Sequence, residues 1–102
     1  MNYKWYYHYV PEGQLESDKH NRWAIKCYIK KGKDFPICIA TITKKGTKNA
    51  YVPSLSHEYC ACIPVIENGV LHNNYNLFSN DIEELKKMVE TEFEKIRLLF
   101  NI

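Results

Sequence analysis

The sequence predicts an α+β fold: an antiparallel sheet of four to six strands, with one long C-terminal amphipathic helix packed on one face. Two observations lead to this prediction. Short runs of alternating side chains, separated by turn residues, fill most of the chain before residue 78, as in strands. From Ser79 onward, apolar side chains recur every three or four positions, as in a helix. A chain of 102 residues predicts a single domain, residues 1–102.

The first strand is predicted at residues 3–10, because side chains there alternate between two faces. One face carries the aromatic rings of Tyr3, Trp5, Tyr7 and Tyr9. The other face carries Lys4, Tyr6, His8 and Val10. Residues 11–13 end the strand, and a polar loop follows through Asn21.

Residues 22–30 and 35–43 predict a β-hairpin, because Gly32-Lys33 fits a two-residue loop whose first position needs positive φ. That loop places Cys27 opposite Cys38, as either a cross-strand disulfide or two buried free thiols. One face of the hairpin is then apolar: Trp23, Ile25, Cys27, Ile29, Cys38, Ala40 and Ile42. The reverse face carries Lys26, Tyr28, Lys30, Phe35, Ile37 and Ile39. One helix covers one face of a sheet, so the reverse face needs a second cover.

The C-terminal half predicts further strands and then the helix. A short strand is expected at residues 50–52, and a hairpin at 59–77 turns at Asn68-Gly69. The helix is expected to be capped by Ser79 or Asn80, with Asn80 and Glu83 spaced for a capping box. Its apolar stripe is Ile82, Leu85, Val89, Phe93, Ile96 and Phe100.

Charge is distributed unevenly along the chain. Residues 1–50 carry 10 Lys and Arg against 4 Asp and Glu, whereas residues 51–102 carry 4 against 8. The basic half contains lysines beside aromatic rings, a combination typical of surfaces that bind single-stranded nucleic acid. The candidate binding residues are Lys4, Tyr6, His8, Lys26, Tyr28, Lys30, Phe35 and Ile37.

Three alternatives remain for the cover of the reverse face. A second copy of the chain would form a homodimer, the commonest two-fold arrangement. A different protein or a nucleic acid would occupy the face as a partner. Alternatively, the N-terminal strand or the loop at residues 11–21 folds over it.

No motif in the sequence predicts catalysis. Ser56, His57 and Glu58 are adjacent, and adjacent strand residues point to opposite faces, so they cannot form a triad among themselves. His57, Cys60 and Cys62 are a weaker metal alternative, since the commoner interpretation of such cysteines is a buried core. The sequence therefore predicts a non-enzymatic protein with no metal and no cofactor.

The Lys-, Asn-, Ile- and Tyr-rich composition, the α+β pattern and the missing enzyme signatures resemble small orphan proteins of crenarchaeal filamentous and rod-shaped viruses, and of bacteriophages. The resemblance covers overall character rather than a motif, so it transfers no residue roles. It implies a small viral protein that binds host or viral machinery in the infected cell, CRISPR inhibition being one such outcome. In a hyperthermophilic host, a cross-strand disulfide would persist.

These observations predict a soluble, intracellular binding module, located in the host cytoplasm if the protein is viral. No apolar run approaches the roughly 20 residues of a membrane span, and the N-terminus does not have the pattern of a secretion signal. The chain is expected to form a homodimer. Its expected partner is an unknown host or viral protein. The alternative is a nucleic-acid-binding protein that uses the basic and aromatic strands, and a small enzyme or metal-stabilised domain comes third.

Overall fold

The computed structural model describes residues 2–8, 24–30, 32–46 and 52–97. Within these residues, a five-stranded antiparallel sheet packs against one helix, which confirms the predicted α+β fold. The elements are β1 Lys4–His8, β2 Ala24–Ile29, β3 Ile37–Lys44, β4 Tyr59–Glu67, β5 Val70–Ser79 and α1 Ile82–Ile96. The strands lie in the sheet in the same order as in the sequence.

Some sequence predictions fall wholly or partly outside the described residues. These are Trp23, Phe100, residues 9–10 of the first strand, the loop at 11–21, and residues 50–51 of the short strand. Val52, which is described, is not in a strand. Within the described part of the chain, no helix is long and apolar enough to cross a membrane.

The β2–β3 hairpin forms, but with a different register from the predicted one. Cys27 pairs with Ala40 and not with Cys38, and beyond this pair Tyr28 pairs with Cys38. Ile39 is therefore an extra residue on β3, the arrangement of a β-bulge. The predicted pairing of Cys27 with Cys38 is wrong because it assumed a two-residue loop, whereas the connection runs through residues 30–36.

The bulge also changes which side chains of β3 reach the core. Beyond it, Ile37 pairs with the buried Ile29, so these two residues share the helix-facing side of the sheet. Ile39 is 3% exposed and belongs to the same core cluster. The prediction that Ile37 and Ile39 lie on the reverse face is therefore wrong, because the extra residue shifts the alternation of the strand by one position.

The core lies between the sheet and α1. The helix contributes Leu85, Val89 and Phe93 to it, which confirms this part of the predicted apolar stripe. The sheet contributes Ile25, Cys27, Ile29, Ile39, Ala40, Ile42, Ala61 and Ile63. Tyr3 and Trp5 of the N-terminal segment pack against this cluster, so the helix spans the sheet towards its β1 edge.

The β4–β5 turn and the start of the helix follow local chemistry. Asn68 and Gly69 both have positive φ, as the predicted hairpin turn requires. The helix cap is Asp81, whose carboxylate accepts hydrogen bonds from the backbone N–H groups of Glu83 and Glu84. The predicted cap at Ser79 or Asn80 is wrong, because β5 continues to Ser79 and the Asn80 side-chain oxygen accepts from the Glu58 backbone N–H.

Candidate ligand-binding face

The sheet has a face opposite α1, which we call the open face, and strand register assigns its residues. Lys4 pairs with Tyr28 and Tyr6 pairs with Lys26 across β1 and β2, so these four residues share one face. Thr41 of β3 and Cys62 of β4 continue the same row from Lys26. No described helix or strand packs on the open face.

The structure brings together four of the eight predicted binding residues on the strands of this face: Lys4, Tyr6, Lys26 and Tyr28. A fifth, Lys30, directly follows β2 and lines the same corner of the face. His8 pairs with Ala24 and so belongs to this face by register.

The other two predicted binding residues lie elsewhere. Phe35 lies in the β2–β3 connection and is 91% exposed. Ile37 is on the helix-facing side by register and is 47% exposed. Ile37 therefore does not belong to the open face, and Phe35 lies outside the strands that form it.

A depression of about 400 Å³ lies at one corner of the open face, where β1 begins, β2 ends and the β2–β3 connection passes. Lys4, Tyr6, Tyr28 and Lys30 line it. Sequence reasoning missed Asn2, Gly32 and Pro36, which also line it. No sequence signal identified Asn2, and the positions of the other two depend on the path of the connection.

Two aromatic rings lie side by side on the open face at this corner. The rings of Tyr6 and Tyr28 are 5.5 Å apart between centroids and inclined at 79°, an edge-to-face pair. Tyr6 is 52% exposed despite this contact. Edge-to-face packing holds the rings in place while leaving ring surface available to a ligand.

The charges of the two sides of the sheet differ in sign. Within the described residues, Lys4, Lys26 and Lys30 form no ion pair. The carboxylates concentrate on α1, where Glu83, Glu92 and Glu94 pair with Lys86, Lys95 and Arg97. Because the sheet separates the helix from the open face, the carboxylates of α1 do not neutralise the positive charge of these three lysines.

The weaker metal candidates do not form a cluster. In the described part of the chain, no group of three or more His, Cys, Asp or Glu side chains is arranged to hold a metal ion. His57 Nδ1 lies 2.6 Å from Ser54 Oγ, and its ring stacks on Phe78. Burial raises the pKa of the Cys60 thiol to about 11, which disfavours the thiolate that zinc binds.

The contact between Ser54 and His57 is part of a loop that several other hydrogen bonds fix in place. The Ser56 backbone N–H donates to Ser54 Oγ, and the Lys45 ammonium donates to the backbone carbonyls of Ser54 and Leu55. These bonds fix the loop that leads into β4, and the stacking of His57 on Phe78 holds it against β5. Ser56, His57 and Glu58 lie in this loop and not in a strand, and Ser56 Oγ is 3.4 Å from His57 Nδ1, so the strand argument against a triad among them was wrong.

Comparison with known proteins found no matching family model, no matching curated protein and no matching solved structure.

Proposed function

We propose that this chain is a non-enzymatic binding module whose open face binds single-stranded nucleic acid. The observation that carries the proposal is the grouping of the Tyr6 and Tyr28 rings with Lys4, Lys26 and Lys30 on one side of the sheet. Ammonium groups attract backbone phosphates, and aromatic rings stack on bases of any sequence. A single strand uses both the lysines and the rings, because it presents phosphates and its bases are accessible for stacking.

The β3 bulge favours this ligand over a second copy bound through the open face. An apolar reverse face was the reason to expect a homodimer, but Ile37 and Ile39 do not lie on it. The residues that remain on the open face and at its corner include three lysines and Thr41. Two copies facing each other would bring like charges together, which is unfavourable.

Protein association through the β2–β3 connection is the second candidate. Phe35 is 91% exposed and Ile37, two residues further on, is 47% exposed. Large apolar side chains exposed close together are typical of contact surfaces. A viral protein of the kind that the sequence resembles would use this end for a host or viral partner, or for a second copy.

The direct test of nucleic-acid binding is fluorescence anisotropy of the full chain with a labelled ten-nucleotide oligo-dT. With two or three phosphates neutralised by the three lysines, affinity for a single strand falls about 7-fold to 20-fold between 50 and 200 mM salt. The double variant Lys4→Gln/Lys26→Gln leaves one contact, so the same change in salt lowers affinity only about threefold. Duplex DNA of equal length binds more weakly, because its bases are stacked within the helix.

The matched control is Lys87→Gln/Lys95→Gln, which removes the same charge from α1 on the other side of the sheet. It is expected to leave binding within twofold of the parent chain. An equal loss in both double variants would show a general charge effect and contradict an open-face site. Light scattering tests the second candidate: a mass near 12.1 kDa argues against the homodimer, and a mass near twice that value supports it.

A further inference from the structure

We infer that the corner depression holds one nucleotide unit, with its base stacked on Tyr6 and its phosphate bound by Lys4 and Lys30. This inference rests on the proposed function and identifies the place on the open face where an individual base is bound. It assigns the remaining lysine, Lys26, to the path of the neighbouring backbone, since Lys26 does not line the depression.

Lys4, by strand register, and Lys30, by sequence, are both neighbours of Tyr28. Lys4 lies directly opposite Tyr28 across β1 and β2. Lys30 follows Tyr28 by two residues, and both residues line the depression. Residues directly opposite on antiparallel strands have Cβ atoms about 5 Å apart, and residues two apart along a strand are separated by about 7 Å. The two ammonium groups can therefore reach a single anion beside the ring pair.

The surface for the base is the Tyr6 ring. Tyr6 is 52% exposed, while its edge-to-face contact with Tyr28 restricts its orientation. An oriented, exposed ring stacks on a base with little loss of side-chain entropy. The amide group of Asn2, at the same depression, adds a donor and an acceptor for polar atoms of the ligand.

Charge and size favour a nucleotide over an uncharged ring compound. Neither lysine has an ion-pair partner among the described residues, so no described carboxylate competes with an anion for these two ammonium groups. The nearby carboxylate of Asp34 is exposed and does not line the depression. A volume of about 400 Å³ lies at the lower end of the roughly 300–1,000 Å³ of ligand clefts, which is room for a single small ligand.

The test is an NMR titration of the ¹⁵N-labelled full chain with thymidine 5′-monophosphate, thymidine and inorganic phosphate in turn. The monophosphate is expected to shift the amide signals of Tyr6, Tyr28 and Gly32. Thymidine and phosphate alone are expected to bind at least tenfold more weakly, because each makes only half of the contacts. Tyr6→Leu is expected to weaken monophosphate binding about 5-fold to 150-fold, the range for loss of one stacked base.

Lys30→Gln and Lys26→Gln form a matched pair with the same change of charge. Lys30→Gln is expected to weaken monophosphate binding at least threefold, whereas Lys26→Gln leaves it unchanged and weakens only oligo-dT binding. Lys30 follows the end of β2 and is exposed, so its replacement leaves the fold intact. Monophosphate binding that is indifferent to both Tyr6→Leu and Lys30→Gln would overturn the inference.

The outcomes separate this inference from the proposed function. If oligo-dT binds but the monophosphate shifts no signals at the depression, the inference is overturned and nucleic-acid binding stands. If the monophosphate binds there and no oligonucleotide binds, the proposed function is overturned and the nucleotide site stands. If neither ligand binds, both are overturned.

Discussion

The ammonium group of Lys86, on α1, lies 4.5 Å from the centroid of the Tyr7 ring, on β1. This contact joins the helix to the first strand. The ammonium group also donates hydrogen bonds to the Tyr7 hydroxyl and to the Glu83 carboxylate, and it lies 5.7 Å from the Trp5 ring. Lys86 is only 9% exposed. Burial by itself lowers the pKa of Lys86, but the hydrogen bonds to Tyr7 and Glu83 more than offset it, and the pKa is raised.

Replacing Lys86 with Ala is expected to destabilise the fold by about 2 kcal/mol. The substitution removes a largely desolvated hydrogen bond from the Lys86 ammonium to the Tyr7 hydroxyl and the packing of the aliphatic stem against the rings of β1. Urea unfolding, followed by tryptophan fluorescence, measures the change. Because Trp5 is itself at this contact, the emission of the folded protein is also expected to change.

Lys87 provides the control for this experiment, since it is adjacent in sequence but exposed. Lys87→Ala is expected to change the free energy of unfolding by less than about 0.5 kcal/mol, as for most surface substitutions. Equal effects of the two substitutions would mean that Lys86 contributes only helix propensity. That result would contradict a cation-mediated contact between α1 and β1.

Stability is expected to fall as the pH rises above about 8.5. Burial raises the pKa of the Cys27 thiol to about 12 and that of Cys60 to about 11. In the unfolded chain, both thiols ionise near pH 8.5, so the unfolded state loses protons that the folded state keeps. Each thiol then lowers the free energy of unfolding by up to about 1.4 kcal/mol per pH unit until its folded pKa is reached. Lys86 acts in the same direction above about pH 10.4, because its pKa is also raised.

Urea midpoints measured between pH 7 and 10, with a reductant present, test this dependence. Cys27→Ala is less stable than the parent at every pH, because it removes buried volume. Its stability is nevertheless expected to fall less steeply between pH 8.5 and 10, since one of the two buried thiols is gone. Parallel curves for the parent and the variant would show that Cys27 does not titrate as the buried geometry requires.

The patterns that the sequence revealed are those whose physical cause is local. Alternation correctly placed Lys4 and Tyr6 on one face of β1, and the 3.6-residue period correctly placed Leu85 and Phe93 in the core. The hairpin register was predicted wrongly because it depends on the path of the connection and on a bulge at Ile39. Both are decided by packing across the sheet, which no short window of sequence contains. The corner depression follows from the same connection, so it was not predicted either.

Cys38 is expected to be the first cysteine to react with a thiol reagent. The four cysteines are free, and Cys38 is exposed, whereas Cys27 and Cys60 are buried and Cys62 is half-buried. Burial raises the pKa of the Cys62 thiol too, which disfavours the reactive thiolate there. Titration with Ellman's reagent at pH 7.5 is expected to show one rapid thiol in the folded protein and four in guanidinium chloride. Cys38→Ser removes the rapid phase, and a rapid phase that persists in this variant would contradict the assigned exposure.

The β3 bulge is tested by one substitution made at two positions. In an unbroken strand, Ile37 and Ile39 share a face, so replacing either with Ala would have similar effects. Here Ile39 is 3% exposed and Ile37 is 47% exposed. Ile39→Ala is therefore expected to destabilise the fold by about 2–4 kcal/mol through the cavity that it leaves, and Ile37→Ala by about 1 kcal/mol or less. Urea unfolding of the two variants gives the comparison, with equal slopes required for the difference in midpoint to measure stability. Similar losses at the two positions would indicate that the strand alternates without a bulge. Ile37 and Ile39 would then both lie on the open face, which would again have the apolar surface expected of a homodimer.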